Sequence, residues 1–127
     1  LDGVMVNAPV QPENGEHISY GNLQTEQLFE DFNLKLEVNV PANSNSGIYL
    51  RGIYEVQVLD NYNNRTYRNG QAGSVYKQHP PLVNACKEPG VWQRATLVVL
   101  NTGGVGFTTT FMLVGLEVQA LIVATAV

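Results

Sequence analysis

Four residues at alternate positions could do chemistry together. Tyr49, Arg51, Glu55 and Gln57 hold odd positions of segment 46–59, while Ile48, Leu50, Tyr54, Val56 and Val58 hold even ones. Side chains alternate faces along a strand, so this parity sends an Arg, a Glu and a Gln to the face opposite the core. A tyrosine ring offers stacking, a guanidinium offers forked donation, and a carboxylate and an amide offer acceptors. Such a row can grip a polyhydroxylated ligand. A merely solvated sheet face would be polar as well. On that reading Glu55 and Arg51 form an ordinary surface ion pair of little energetic worth.

The elements that must position this row are strands. Residues 32–40 alternate strictly, with Phe32, Leu34, Leu36, Val38 and Val40 on one side and Asn33, Lys35, Glu37 and Asn39 on the other. That pattern predicts a half-buried antiparallel strand, which Pro41 stops because it has no N–H for the ladder. Gly52 bends or breaks segment 46–59, leaving room for two strands there. Short strands are expected at 4–8, 17–20, 74–77 and 91–100, and a single acidic turn at 25–31. Asn69-Gly70 and 87–90 read as turns. His79 is followed by Pro80 and Pro81, which force an extended chain and can hold the imidazole at a rim. A plain loop would look the same. His17 reads as a surface or packed histidine. Segment 111–127 is nearly all apolar, yet Glu117 and Gln119 near its centre and its Val, Thr and Ile content favour buried strands over a membrane span.

Composition narrows the function classes. A chain of 127 residues is the length of one domain. Cys86 is the single cysteine, so no internal disulfide can form, and with no histidine near it in sequence it reads as a small packed residue. Seven Lys and Arg against eleven Asp and Glu give a net charge of −4, and the basic residues are scattered. That excludes an electrostatic footprint for nucleic acid. The first ten residues lack the basic region of a signal peptide. Short strands separated by turn signals every eight to twelve residues predict an all-β sandwich.

The segments DGVMVNAP, FNLKLEVNVP, NSGIYLRGIYEVQVLDNY and GSVYKQHPPLVNACKEPGVWQ carry a resemblance. In that order, over residues 2–94, the chain resembles the 3-keto-disaccharide hydrolase family. The resemblance implies a concanavalin-A-like antiparallel β-sandwich, or jelly roll, in a family common in bacteria and often exported. It implies a single domain over 1–127 that lacks edge strands of the family's full domain, and open ladders of that kind favour pairing into a homo-oligomer or assembly. After Arg94 the match fades, and only the segment 115–119 resembles the family's closing hairpin.

The resemblance also implies a substrate, a glycoside oxidised at C3. A ketone there acidifies the C2 proton. A base removes it, the enolate expels the group at C1, and water adds back. Glu55 or His79 would serve as base or acid, and Arg51 would hold the enolate oxygen or a hydroxyl. Tyr49, Gln57, Asn45 and Gln78 would bind hydroxyls. Asp60 would join them or instead fix the loop that follows it. No His-x-His or HExxH spacing is present, so no metal or other cofactor is assigned, although a divalent ion could replace Arg51 as electrophile. A carbohydrate is the expected ligand, with no membrane insertion. A non-catalytic carbohydrate-binding or self-assembling sandwich module is the competing expectation.

Overall fold

In the computed structural model, residues 4–6, 12–16, 21–100, 108–115 and 118–125 are described. Six strands follow one another: β1 (Phe32–Asn39), β2 (Asn45–Leu50), β3 (Tyr54–Leu59), β4 (Trp92–Val99), β5 (Thr108–Gly115) and β6 (Val118–Thr125). They pair antiparallel as β1–β4, β2–β3 and β5–β6. The backbone of β5 runs beside β4, and the β5–β6 ladder closes with Gly115 opposite Val118.

The alternation in β1 appears in the structure as a strict alternation of half-buried and exposed residues. Its register with β4 sets Leu34 opposite Leu97, Leu36 opposite Ala95 and Phe32 opposite Val99. The β2–β3 pair contributes Ile48, Leu50, Tyr54 and Val56 from its even positions. These two apolar faces, joined by the fully buried Val75, form one core cluster. The architecture is thus two antiparallel sheets packed face to face around interdigitating side chains.

Segment 46–59 is two strands, not one. A three-residue turn, Arg51-Gly52-Ile53, joins them, with Ile53 N–H donating to the Leu50 carbonyl at 3.2 Å. Arg51 and Gly52 both take positive φ, 53° and 68°. This left-handed pair suits the right-handed twist of a hairpin. Register Leu50↔Tyr54 and Ile48↔Val56 joins even positions to even ones. The face assignment made from parity therefore survives the turn.

A third segment extends the β2–β3 sheet. Val75 bridges Val56 on one side and His79 on the other. Gln57 N–H donates to the Ser74 carbonyl at 3.0 Å, and Gly73 N–H donates to the Gln57 carbonyl at 2.9 Å. Gly73 and Ser74 together oppose the single residue Gln57. Gly73 has φ 79°, and Ser74 N–H closes a turn onto the Gln71 carbonyl at 3.0 Å. This is a bulge built on glycine in the left-handed region, which increases local twist where the edge begins.

Other expectations resolve as follows. Residues 25–31 form bends without a helix, and residues 4–6 carry no strand. The strand expected at 17–20 and the remainder of 4–8 lie outside the described residues. The strand expected at 74–77 shrinks to the Val75 bridge because a turn at 76–78 follows at once. At 88–91 the turn is real: Val91 N–H reaches the Glu88 carbonyl at 3.1 Å, with Pro89 and then Gly90 at φ 81° between them. Proline followed by a positive-φ glycine is the signature of a type II turn. Among the described residues no helix is long and apolar enough to cross a membrane.

Candidate functional site

The register collects the candidate residues in rows. Tyr49 on β2 stands directly opposite Glu55 on β3. On the other side of Glu55, Tyr76 N–H donates to the Glu55 carbonyl at 2.8 Å. The Val56–Val75 bridge makes Tyr76 the cross-strand neighbour of Glu55. Ladder partners share a face, so Tyr49, Glu55 and Tyr76 form one row across β2, β3 and the segment bridged to β3 through Val75. The next row is Gly47, Gln57 and Ser74, and Asn45 stands opposite Leu59 beyond it.

Glu55 is half-buried, whereas Tyr49 and Tyr76 are exposed at its flanks. Hydrogen bonding and the negative charge of the Glu55 carboxylate across the ladder hold the Tyr49 phenol's pKa above its usual value. The Lys77 ammonium lies 5.2 Å from the Tyr76 ring centroid, within reach of a cation–π contact. Lys77 itself takes φ 59° in the turn.

Gln57 departs from the expectation of a solvated face. It is only 5% exposed. Its Nε2 donates to Asn45 Oδ1 at 2.7 Å, and its Oε1 is buried without a protein partner, as is Ser74 Oγ in the same row. Buried polar atoms ordinarily find partners, and these two are exceptions, shielded from solvent within the row. Asn45 is exposed at its end.

The structure does not bring all the expected residues together. Arg51 lies in the hairpin turn, outside the row. Its Nη2 donates to the Glu30 carbonyl and pairs with Asp31 at 3.6 Å. The guanidinium thus ties the turn to the segment preceding β1. His79 pairs with Val75 by reciprocal N–H to carbonyl bonds of 3.0 and 2.9 Å, which places it on the face of Val75 and Val56, opposite that of Glu55. Gln78 is exposed in the turn before it. Asp60 fixes a loop, the second of the two roles expected for it. Its carboxylate accepts from Asn43 N–H at 3.0 Å and from Tyr62 N–H at 3.3 Å.

Gly47, Ser74 and Tyr76 were not singled out from the sequence. Tyr76 carried a findable signal, since it is an aromatic in a short strand-like segment. The bulge that aligns Ser74 with Gln57 depends on pairing between distant segments and left no local trace.

Two cavities border these elements. One of about 200 Å³ is walled by Phe29, Phe32, Leu34, Leu50 and Tyr49, with Thr25 and Asn33 at its margin. The other, of about 220 Å³, lies between the sheets, where Val38, Val40, Ile48, Val56 and Cys86 contribute. Burial pushes the Cys86 thiol pKa up, which makes it a poor nucleophile. Among the described residues no group of three His, Cys, Asp or Glu side chains is arranged to hold a metal ion.

Fold and site define a concanavalin-A-like jelly-roll domain whose β2–β3 sheet presents a carboxylate between two phenols. The chain belongs to the 3-keto-alpha-glucoside-1,2-lyase-like domain family, whose model matches residues 1–120. A solved structure from Parabacteroides distasonis, described as a candidate glycosyl hydrolase, is similar at 40% identity and a TM-score of 0.65. The similarity covers 81% of this chain and 49% of that one. The chain therefore spans about half the length of that relative. No curated protein matches.

Proposed function

We propose that the domain acts on glycosides oxidised at C3 of the sugar, with Glu55 as the base. The observation that carries this reading is the Tyr49–Glu55–Tyr76 row, a carboxylate fixed on an exposed sheet face in a member of this family.

Glu55 takes the C2 proton, which the neighbouring ketone acidifies. The electron pair of the broken C–H bond forms the enolate and then the C1–C2 double bond. The bond from C1 to the leaving oxygen breaks, and that oxygen leaves with a proton. Water adds to C1, a proton returns to C2, and the net change is hydrolysis. The leaving oxygen needs a proton, and a carboxyl that has just taken the C2 proton is an acid within the same site. The ketone oxygen needs a donor as charge develops on it. Tyr76 is the candidate on the same row, because Arg51 is engaged with Glu30 and Asp31. The rings of Tyr49 and Tyr76 give a sugar face something to lie against, and Asn45, exposed at the end of the sheet, supplies polar atoms for its hydroxyls.

The test is release of the aglycone from a 3-keto-glucoside. The wild-type domain is expected to turn over, and Glu55→Gln to slow it by roughly 10²- to 10⁴-fold, the usual worth of a positioned base. Full activity in Glu55→Gln would remove the assignment. Binding of the keto-sugar without turnover in the wild type would identify a carbohydrate-binding module instead.

A further inference from the structure

Gly47 lies inside β2, and its φ is not positive. Glycine in the interior of a strand weakens it, since it packs nothing and loses more chain entropy than any other residue. Backbone conformation does not call for glycine here. Space does. A Cβ at position 47 would come 2.2 Å from Glu55 Oε1 and 2.8 Å from its Cγ and Cδ. Gly47 stands opposite Gln57 in the ladder, so the Glu55 side chain leans diagonally from β3 and lies flat over the bare backbone of β2. Two residues further along that strand, Tyr49 stands directly opposite Glu55, and the carboxylate beside it holds the Tyr49 phenol above its usual pKa. One strand thus supplies both the floor beneath the carboxylate and a donor at its edge.

We propose that Gly47 and Tyr49 are positioning residues for the Glu55 carboxylate, Gly47 by leaving the clearance in which it lies and Tyr49 by fixing its direction. The proposal rests on the reading of Glu55 as the base. It assigns the strand glycine to catalysis through Glu55, with no contact to substrate required of it. The atoms that a new Cβ would meet belong to the far part of a flexible side chain, not to backbone. Gly47→Ala should therefore swing the carboxylate away and leave the fold standing.

The first measurement needs no substrate. Tyrosine ring signals followed by NMR against pH should show Tyr49 titrating above an ordinary phenol in the wild type. In Glu55→Gln that displacement should shrink, and in Gly47→Ala it should shrink in the same direction, because the carboxylate has moved. The second measurement is turnover of a 3-keto-glucoside. Gly47→Ala should lower kcat by about 10²-fold, the scale of a misplacement of about 1 Å, with KM within about threefold. In the double variant, Gly47→Ala should add nothing to Glu55→Gln, since the group it displaces is already disabled. If Gly47→Ala lowers the melting temperature, the same substitution in a Glu55→Ala protein must not, because the clash is gone.

A Tyr49 titration identical in wild type and Gly47→Ala overturns the positioning role, whatever the activity. An inactive wild type with a Tyr49 titration that responds to Gly47→Ala overturns the reaction instead and leaves the positioning intact.

Discussion

Replacing Asp60 by alanine separates a loop anchor from a ligand-binding residue. Asp60 follows β3, and its own N–H donates to the Ser44 carbonyl at 3.0 Å. Its carboxylate accepts from Asn43 N–H at 3.0 Å and Tyr62 N–H at 3.3 Å. Asn43 is held at φ 58°, a conformation that asparagine tolerates better than most residues but which still needs local support. The bond to Asn43 has normal length, and the bond to Tyr62 is long enough to contribute less. Hydrogen bonds to charged groups stabilise by about 1.5–3 kcal/mol. Both N–H groups belong to exposed residues, so water can replace the lost acceptor, and the lower part of that range applies. We expect Asp60→Ala to cost about 2 kcal/mol. At roughly 4 °C per kcal/mol for a domain of this size, that lowers the melting temperature by about 8 °C. Calorimetry measures the shift, and titration with a keto-sugar measures affinity, which should stay within about twofold. An unchanged melting temperature with lost affinity would refute the reasoning and return Asp60 to the ligand-binding set.

Other substitutions read the core and the turns. Leu97→Ala removes a fully buried side chain at the centre of the two-sheet cluster and should destabilise by about 2–5 kcal/mol in a denaturant melt; a loss near zero would mean the sheets do not pack through it. Gly90→Ala meets no atom within 4 Å, yet its φ of 81° strains any L side chain, so unfolding should show a loss of about 1–2 kcal/mol from conformation alone. Alkaline pH should weaken the fold through the tyrosines. Tyr49 faces the Glu55 carboxylate across the ladder and the Tyr62 hydroxyl donates to Glu88, so both phenols titrate above their usual value of 10.0 in the folded protein. The unfolded chain gives up these protons first, so this contribution is complete below that value and is lost as pH rises through the folded-state pKa. Melting temperatures recorded across that range should fall less steeply in Glu55→Gln, and equal slopes would count against the Tyr49–Glu55 bond.

What could be read from the sequence was whatever depends on local alternation. Phe32 to Asn39 declared its strand and its buried face, because period-two apolar residues admit few other arrangements. The same rule placed Tyr49, Glu55 and Gln57 together. It failed for Arg51 because parity says nothing about where a strand ends. Two residues of positive φ take Arg51 out of the ladder, and its guanidinium goes to Glu30 and Asp31. His79 was misdirected for a related reason. The prolines after it do constrain the chain, but its facing is decided by pairing with Val75, a contact that arises only once the turn at 76–78 has formed. Gly47 looked like an ordinary strand glycine, and only the position of the Glu55 side chain explains it.

The turn joining β2 to β3 has an odd number of residues, and Leu50 pairs with Tyr54 across it. Ladder partners share a face whatever the length of the connection, so the sides of β3 stay where they are as long as Leu50 pairs with Tyr54. A slip of one residue in that pairing, setting Leu50 opposite Glu55, would turn Val56 to water and drive Glu55 among Leu97 and Val99. The turn therefore acts as a register lock: by fixing which residue meets Leu50, it fixes which side of the sheet carries the carboxylate.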